Sequence, residues 1–208
     1  MKCAILLLLA ALAAAAPARA QDAPVNDYIF LMDDYWSICT IAPFLTHVHF
    51  MVVLSCPSYP FILGFELGLV SEGLVYSSLI PSFPVPAAWE DPSPSDWDSL
   101  DIIVEYSTPL PATDFVTLAT IDLFYLDVDP IRIRMTASNP SRVGGASPAY
   151  LADPGRIMIP LAPIHAYGED WDYAINHCPP IIWPQPAWTC GPRPSETMSW
   201  GAVKSLYR

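Results

Sequence analysis

The most regular pattern in the chain is alternation with a period of two. Phe61, Leu63, Phe65, Leu67 and Leu69 alternate with Ile62, Gly64, Glu66, Gly68 and Val70. Side chains two apart on an extended chain share a face, so this run predicts a half-buried strand. Ile102, Val104 and Tyr106 alternate with Ile103 and Glu105, and Ile131, Ile133 and Met135 alternate with Arg132, Arg134 and Thr136. Both read as strands with one wet face. Thr46–Ser55 and Phe115–Leu126 are apolar on both faces, which places them centrally in a sheet or against a second layer. Val75–Leu79 and Arg156–Ile159 are shorter strand candidates, with 27–32 and 73–76 near strand ends.

Proline and glycine divide these runs: Pro57 to Pro60, Pro81–Pro94, Pro109 to Pro111, Asn139-Pro140, Gly144-Gly145 and Asp153-Pro154-Gly155. Proline cannot donate to a ladder, and 24 of them in 208 residues leave little room for long helices. Short strands with turns every ~8–12 residues predict an all-β antiparallel sandwich of immunoglobulin-like architecture. One helix is expected, at the C-terminus, where Trp200, Val203, Leu206 and Tyr207 recur at helical spacing behind a Ser199 or Thr197 cap; a last strand is the alternative. The stretch 178–194 has no periodicity and carries six prolines around Trp183 and Trp188, as a surface loop would.

Composition adds a compartment. Lys2, the apolar run 4–16 and Ala18-Arg19-Ala20 have the form of an export signal, with cleavage expected after Ala20. The run is shorter than a membrane-spanning helix, so residues 21–208 are expected as one domain that is secreted, periplasmic or on the cell surface, with no membrane insertion. Losing Lys2 and Arg19 takes the formal charge from −12 to −14 and leaves Lys204 as the one lysine. That balance argues against nucleic acid, whose phosphates need clustered cations.

Four cysteines remain after cleavage: Cys39, Cys56, Cys178 and Cys190. An even number in an oxidising compartment predicts two disulfides. Local pairing, Cys39–Cys56 with Cys178–Cys190, closes the shortest loops and is preferred here; pairing across the chain, as in Cys39–Cys178, is the alternative.

The segments Ile62 to Leu67, Val116 to Leu123 and Pro130 to Ile133 resemble the core strand order of cohesin-like extracellular β-sandwich modules, over roughly residues 44–136. The resemblance implies a binding or scaffolding module. The tail Ser199 to Arg208, with its Trp-Gly-x-Val-Lys-x-Leu-Tyr-Arg pattern, is similar to the ending of a group of uncharacterised secreted bacterial proteins that share the same middle.

Candidate chemistry is sparse. His47 and His49 share a strand face and form the best metal-like feature, with His165 or His177 as a third ligand if the fold brings one near. Asp96, Asp98 and Asp101 head the acidic loop positions that suit calcium, although they lack the glycine and terminal Glu of an EF-hand; no other cofactor is indicated. No nucleophile elbow or phosphate loop occurs. Trp89, Trp97, Trp183 and Trp188 stand beside proline and acid and are the candidate ligand-binding residues for a glycan or a protein, whereas Trp36 and Trp200 read as packing. The expected function is a secreted, non-catalytic binding or surface-structural protein. A secreted hydrolase using loop carboxylates or a histidine-bound metal is the alternative.

Overall fold

A computed structural model of the chain describes residues 26–96, 98–141, 147–165, 170–178 and Cys190, with side chains left out over 89–96. The export signal, the C-terminal helix and tail, Trp97, Trp183 and Trp188 lie outside the described residues. Thirteen strands are present among those described, and no helix: β1 (Tyr28–Met32), β2 (Cys39–Thr40), β3 (Thr46–Ser55), β4 (Phe61–Glu72), β5 (Leu79–Ser82), β6 (Ala87–Asp96), β7 (Ser99–Pro111), β8 (Phe115–Tyr125), β9 (Ile131–Thr136), β10 (Ala149–Asp153), β11 (Ile157–Pro160), β12 (Ala162–Pro163) and β13 (Tyr173–Ile175).

They form two sheets. The first runs β12-β1-β3-β8-β5, with β3 and β8, the two runs apolar on both faces, near its middle. In the second, β4 carries β7 and then β6 on one edge, while its other edge is divided: Phe61–Glu66 pairs with β10 and Gly68–Glu72 with β9. Pairing is antiparallel apart from two short parallel contacts, β1 with β12 and β13 with β2. The all-β sandwich expected from alternation is what the chain adopts.

The core fills the space between the layers. Val48, Phe50, Val52 and Leu54 of β3 and Ile121 and Leu123 of β8 face Phe65, Leu67 and Leu69 of β4 and Ile131 and Ile133 of β9, all buried. Two contacts tie the layers directly: the ring of Phe50 stacks on Tyr173 at 4.6 Å, and the Tyr106 hydroxyl donates to the Leu118 carbonyl at 2.6 Å. A second, smaller apolar cluster of Phe30, Met32 and Val53 lies on the outer face of the first sheet, beside Phe115 and Ile164.

Three expectations need correction. First, β4 is not half-buried. Its outer face holds Gly64, Glu66 and Gly68, all buried, because the segment following β9 crosses over it: the Ser141 hydroxyl donates to Glu66 at 2.8 Å, and the Asn139 amide donates to Asp101 of β7 at 3.0 Å. The bulge between Ile62 and Gly64 also reverses the alternation, so that Ile62 is buried and Phe61 exposed. Second, the disulfides are Cys39–Cys178 and Cys56–Cys190, with Cα–Cα separations of 5.3 and 5.1 Å, and not the local pairs. Cys39 lies before β3 and Cys56 after it, and ten residues of strand hold the two about 30 Å apart. The parallel register of Ala174 with Cys39 instead brings the end of β13 to β2. Third, Trp36 is not packed away: its side chain is 54% exposed, edge-on to Phe115 with ring centroids 5.3 Å apart.

The crossing segment depends on glycine. A Cβ at Gly68 would overlap the Thr136 hydroxyl and sit 2.5 Å from the Ala137 carbonyl oxygen, which is backbone and cannot swing aside. Gly68→Ala should therefore cost about 2–3 kcal/mol, as overpacking does, whereas Glu72→Ala, at the exposed end of the same strand, should stay within about 0.5 kcal/mol. Urea midpoints of the oxidised proteins check the contrast.

Candidate functional site

At the end of the sandwich where β3 begins and β4, β8 and β13 end, three loops meet: 41–45, 73–77 and 126–130. Asp127 organises them. Its Oδ1 accepts the amides of Val75 and Tyr76, both at 2.9 Å, and its Oδ2 accepts the Ser77 amide at 3.2 Å and the Ser77 hydroxyl at 2.5 Å. The Ser77 oxygen in turn accepts the Leu126 amide at 2.9 Å. Three successive amides converging on one carboxylate form an anion nest, here filled by the chain's own side chain.

The neighbouring loops are fixed to the same frame. The Leu45 amide donates to the Tyr125 carbonyl at 2.9 Å, and Asn176 exchanges two hydrogen bonds with the Ala42 backbone, each 2.9 Å. Gly73, at φ +85°, leaves no room for a Cβ against the Pro130 carbonyl. Leu45 is held at φ 64°, a left-handed conformation that a bulky residue adopts only when its surroundings impose it.

What this frame presents is apolar. Val128 is 89% exposed, Ile41 80% and Tyr76 74%, and Val75, Phe44 and Leu45 are each more than half exposed. A rigid set of large apolar side chains held in solvent is the usual mark of a contact surface. It continues down the outer face of the first sheet through Ile80 of β5 and Phe124 of β8, the latter against the His47 ring at 4.9 Å.

His47 and His49 do share that face, as their spacing predicts. Asp122 of β8 lies directly across from His49, and its carboxylate is 3.1 Å from His47 Nδ1 and 3.7 Å from His49 Nδ1. Their third-ligand candidates go elsewhere. His165 pairs with Asp172 at 2.7 Å, and His177 lies edge-on to Trp171. Among the described residues no three His, Cys, Asp or Glu side chains stand as a metal-holding group. Asp101 is buried and accepts the Asn139 amide, Asp98 is exposed in the β6–β7 turn, and Asp96 ends β6. Trp89 is on β6, whose side chains are not described.

Two carboxyls are displaced in opposite directions. Desolvation would raise the Asp127 pKa, but the Ser77 hydroxyl and the amides of Tyr76, Val75 and Ser77 outweigh it and hold it below the ordinary value. Burial lifts Asp172 above its ordinary value, against the opposing pull of the Met135 amide and His165. A shallow recess between β4 and β9 is lined by Arg132 and Arg134, but Glu72 and Asp170 balance them, so it offers no net charge to an anion.

These shifts have signs that can be measured. Asp127 is lowered on folding, so its stabilisation is complete above the unfolded carboxyl pKa of about 3.9 and disappears as pH falls through the lower folded value. Asp127→Asn should cost about 2–4 kcal/mol at pH 7 through the loss of charge-assisted bonds and should flatten this part of the acid limb. Denaturation of both proteins between about pH 2 and pH 7 checks it.

Comparison with known proteins bears on the fold. No protein-family model and no curated protein matches this chain. Among solved structures, the sixth cohesin of scaffoldin B from Acetivibrio cellulolyticus, determined in complex with a Cel5 dockerin, superposes with a TM-score of 0.52 at 10% identity, covering 73% of this chain and 99% of the cohesin. The second type II cohesin module of the ScaA adaptor scaffoldin of the same organism superposes at 0.52 with 14% identity, over 78% of this chain and 96% of the module. A further structure of that module gives 0.51 at 14% identity, over 76% of this chain and 99% of the module. The two-layer β-sandwich described here is the cohesin fold.

Proposed function

We propose that the chain is a non-catalytic protein-binding module that works outside the cytoplasm. The observation that carries this reading is the frame around Asp127, which holds six large apolar side chains in solvent at one end of a sandwich with an otherwise well-covered core. A protein ligand is supported by the cohesin fold, since the scaffoldin B cohesin of like fold was determined bound to a dockerin. Two disulfides with sequence separations of 139 and 134 support an oxidising compartment, as does the apolar N-terminal run. A protein contact also suits the chemistry better than a sugar site, because Ile41, Val75 and Val128 bring no hydrogen-bonding group to a hydroxylated ring.

The oxidised mature chain, immobilised and exposed to the extracellular fraction of the secreting organism, should retain a protein that then binds it one-to-one and saturably in calorimetry, with a dissociation constant of about 10 μM or tighter. Saturable binding to a glycan array with no protein bound, or turnover of a glycan or ester substrate that tracks the purified chain, would contradict the reading.

A further inference from the structure

The charge around the apolar loops points to the kind of partner they meet. Ile41, Phe44, Leu45, Val75, Tyr76 and Val128 occupy the three loop tips. Around them carboxylates outnumber cations: Glu72 is at the end of β4, Asp98 in the β6–β7 turn and Asp129 beside Val128. Among the described residues the nearby cations are Arg132, which Glu72 faces at 3.7 Å, and Arg134, which Asp170 balances in the same recess, so the excess negative charge of the rim rests on Asp98 and Asp129. Of the described segment ends, Asn26 and Cys190 are at the opposite end of the sandwich, where the Asp27 amide donates to the Cys56 carbonyl and Cys190 is bonded to Cys56, whereas Cys178 is bonded to Cys39, two residues before Ile41.

We infer that these loop tips dock a protein partner that presents an apolar knob ringed by lysine or arginine. This deepens the protein-binding reading and rests on it. A second copy of this chain would bring an identical acidic rim to meet the first, and a chain with a formal charge of −12 gains nothing by that approach. An anionic lipid surface is disfavoured for the same reason, and no lysine stands on the tips to reach lipid headgroups. A basic-rimmed partner satisfies both parts of the surface, with the apolar centre supplying affinity and the rim supplying rate and orientation.

The test uses the full oxidised mature chain and a phage-displayed library of random peptides of about twelve residues as the probe. Enriched peptides should carry two or more large apolar residues flanked by Lys or Arg. Their affinity should fall about tenfold or more on Tyr76→Ser or Phe44→Ser, the scale on which a contact surface loses a hot-spot side chain. Phe61→Ser, at the far end of β4, should leave it unchanged, and raising NaCl from ~50 to ~500 mM should slow association as the rim is screened. Val128→Ser, in an exposed loop position, serves if either tip variant melts early. Peptides that bind the tip variants as well as the parent, or peptides without a basic bias, overturn the inference while leaving a protein-binding role intact. Absence of any enriched peptide overturns it too. Tip-dependent binding to phosphatidylcholine vesicles, or tip-dependent dimers in sedimentation, assigns the surface to lipid or to a second copy and likewise overturns it.

Discussion

The Asp127 carboxylate is the interaction on which the exposed end of this sandwich depends. A carboxylate that is 3% exposed would be costly to keep charged if it stood alone. Here it accepts three amides and a hydroxyl, and those bonds fix the turn after β4 to the loop after β8. The turn cannot collapse onto the core without giving them up. Val75 and Tyr76 are thereby kept in solvent by a polar interaction beneath them, which explains how large apolar groups stay outside a domain whose interior would otherwise take them.

The rest of the architecture works in the same direction. β4 lies at the centre of the second sheet, shared among β7, β9 and β10; Gly68 lets the segment after β9 lie close over its outer face, while Gly64 makes room for the β7 backbone at the bulge. That face is consequently covered, and Glu66 is buried with the Ser141 hydroxyl on it. Cross-chain disulfides join β2 to the end of β13 and the end of β3 to Cys190, so each end of the sandwich has one covalent tie. In the chain-entropy picture a bridge closing a loop of this length removes about 5 kcal/mol of disorder from the unfolded chain, more than a local pair would. Among the described residues the broader exposed apolar surface is the loop end, with its continuation over Phe124 and Ile80, and Tyr35 and Trp36 form a smaller exposed pair beside Phe115.

Much of this was legible in the sequence where packing follows alternation. β3, β8 and β9 announce themselves because one or both of their faces meet the core. β6 was hidden: Pro86, Pro92 and Pro94 read as breakers, yet β6 pairs only with β7, and an edge strand tolerates residues that cannot donate. β2, β12 and β13 are two or three residues long and too short to carry a period. Disulfide pairing was not legible because it depends on which strands become neighbours, whereas loop length enters only logarithmically. The loop-end surface escaped for a related reason. Asp127 and Asp129 look alike as a solvated acidic pair, and only the fold buries one and exposes the other. The clue present in the sequence was Ile41 and Val128, apolar residues standing between turn formers, whereas Val75 and Tyr76 read as part of a strand, Val75–Leu79, that the structure replaces with a turn ahead of β5.

Amide hydrogen exchange at Val75, Tyr76 and Ser77 tests most directly whether the loop end is a held surface or a loose one. Strong protection is predicted at all three at neutral pH, despite side chains at 75 and 76 that are each more than half exposed, with protection lost together in Asp127→Asn. Exchange at the rate of an open loop in the parent protein would contradict it, since the apolar residues would then be exposed by disorder and not by design of the frame beneath them.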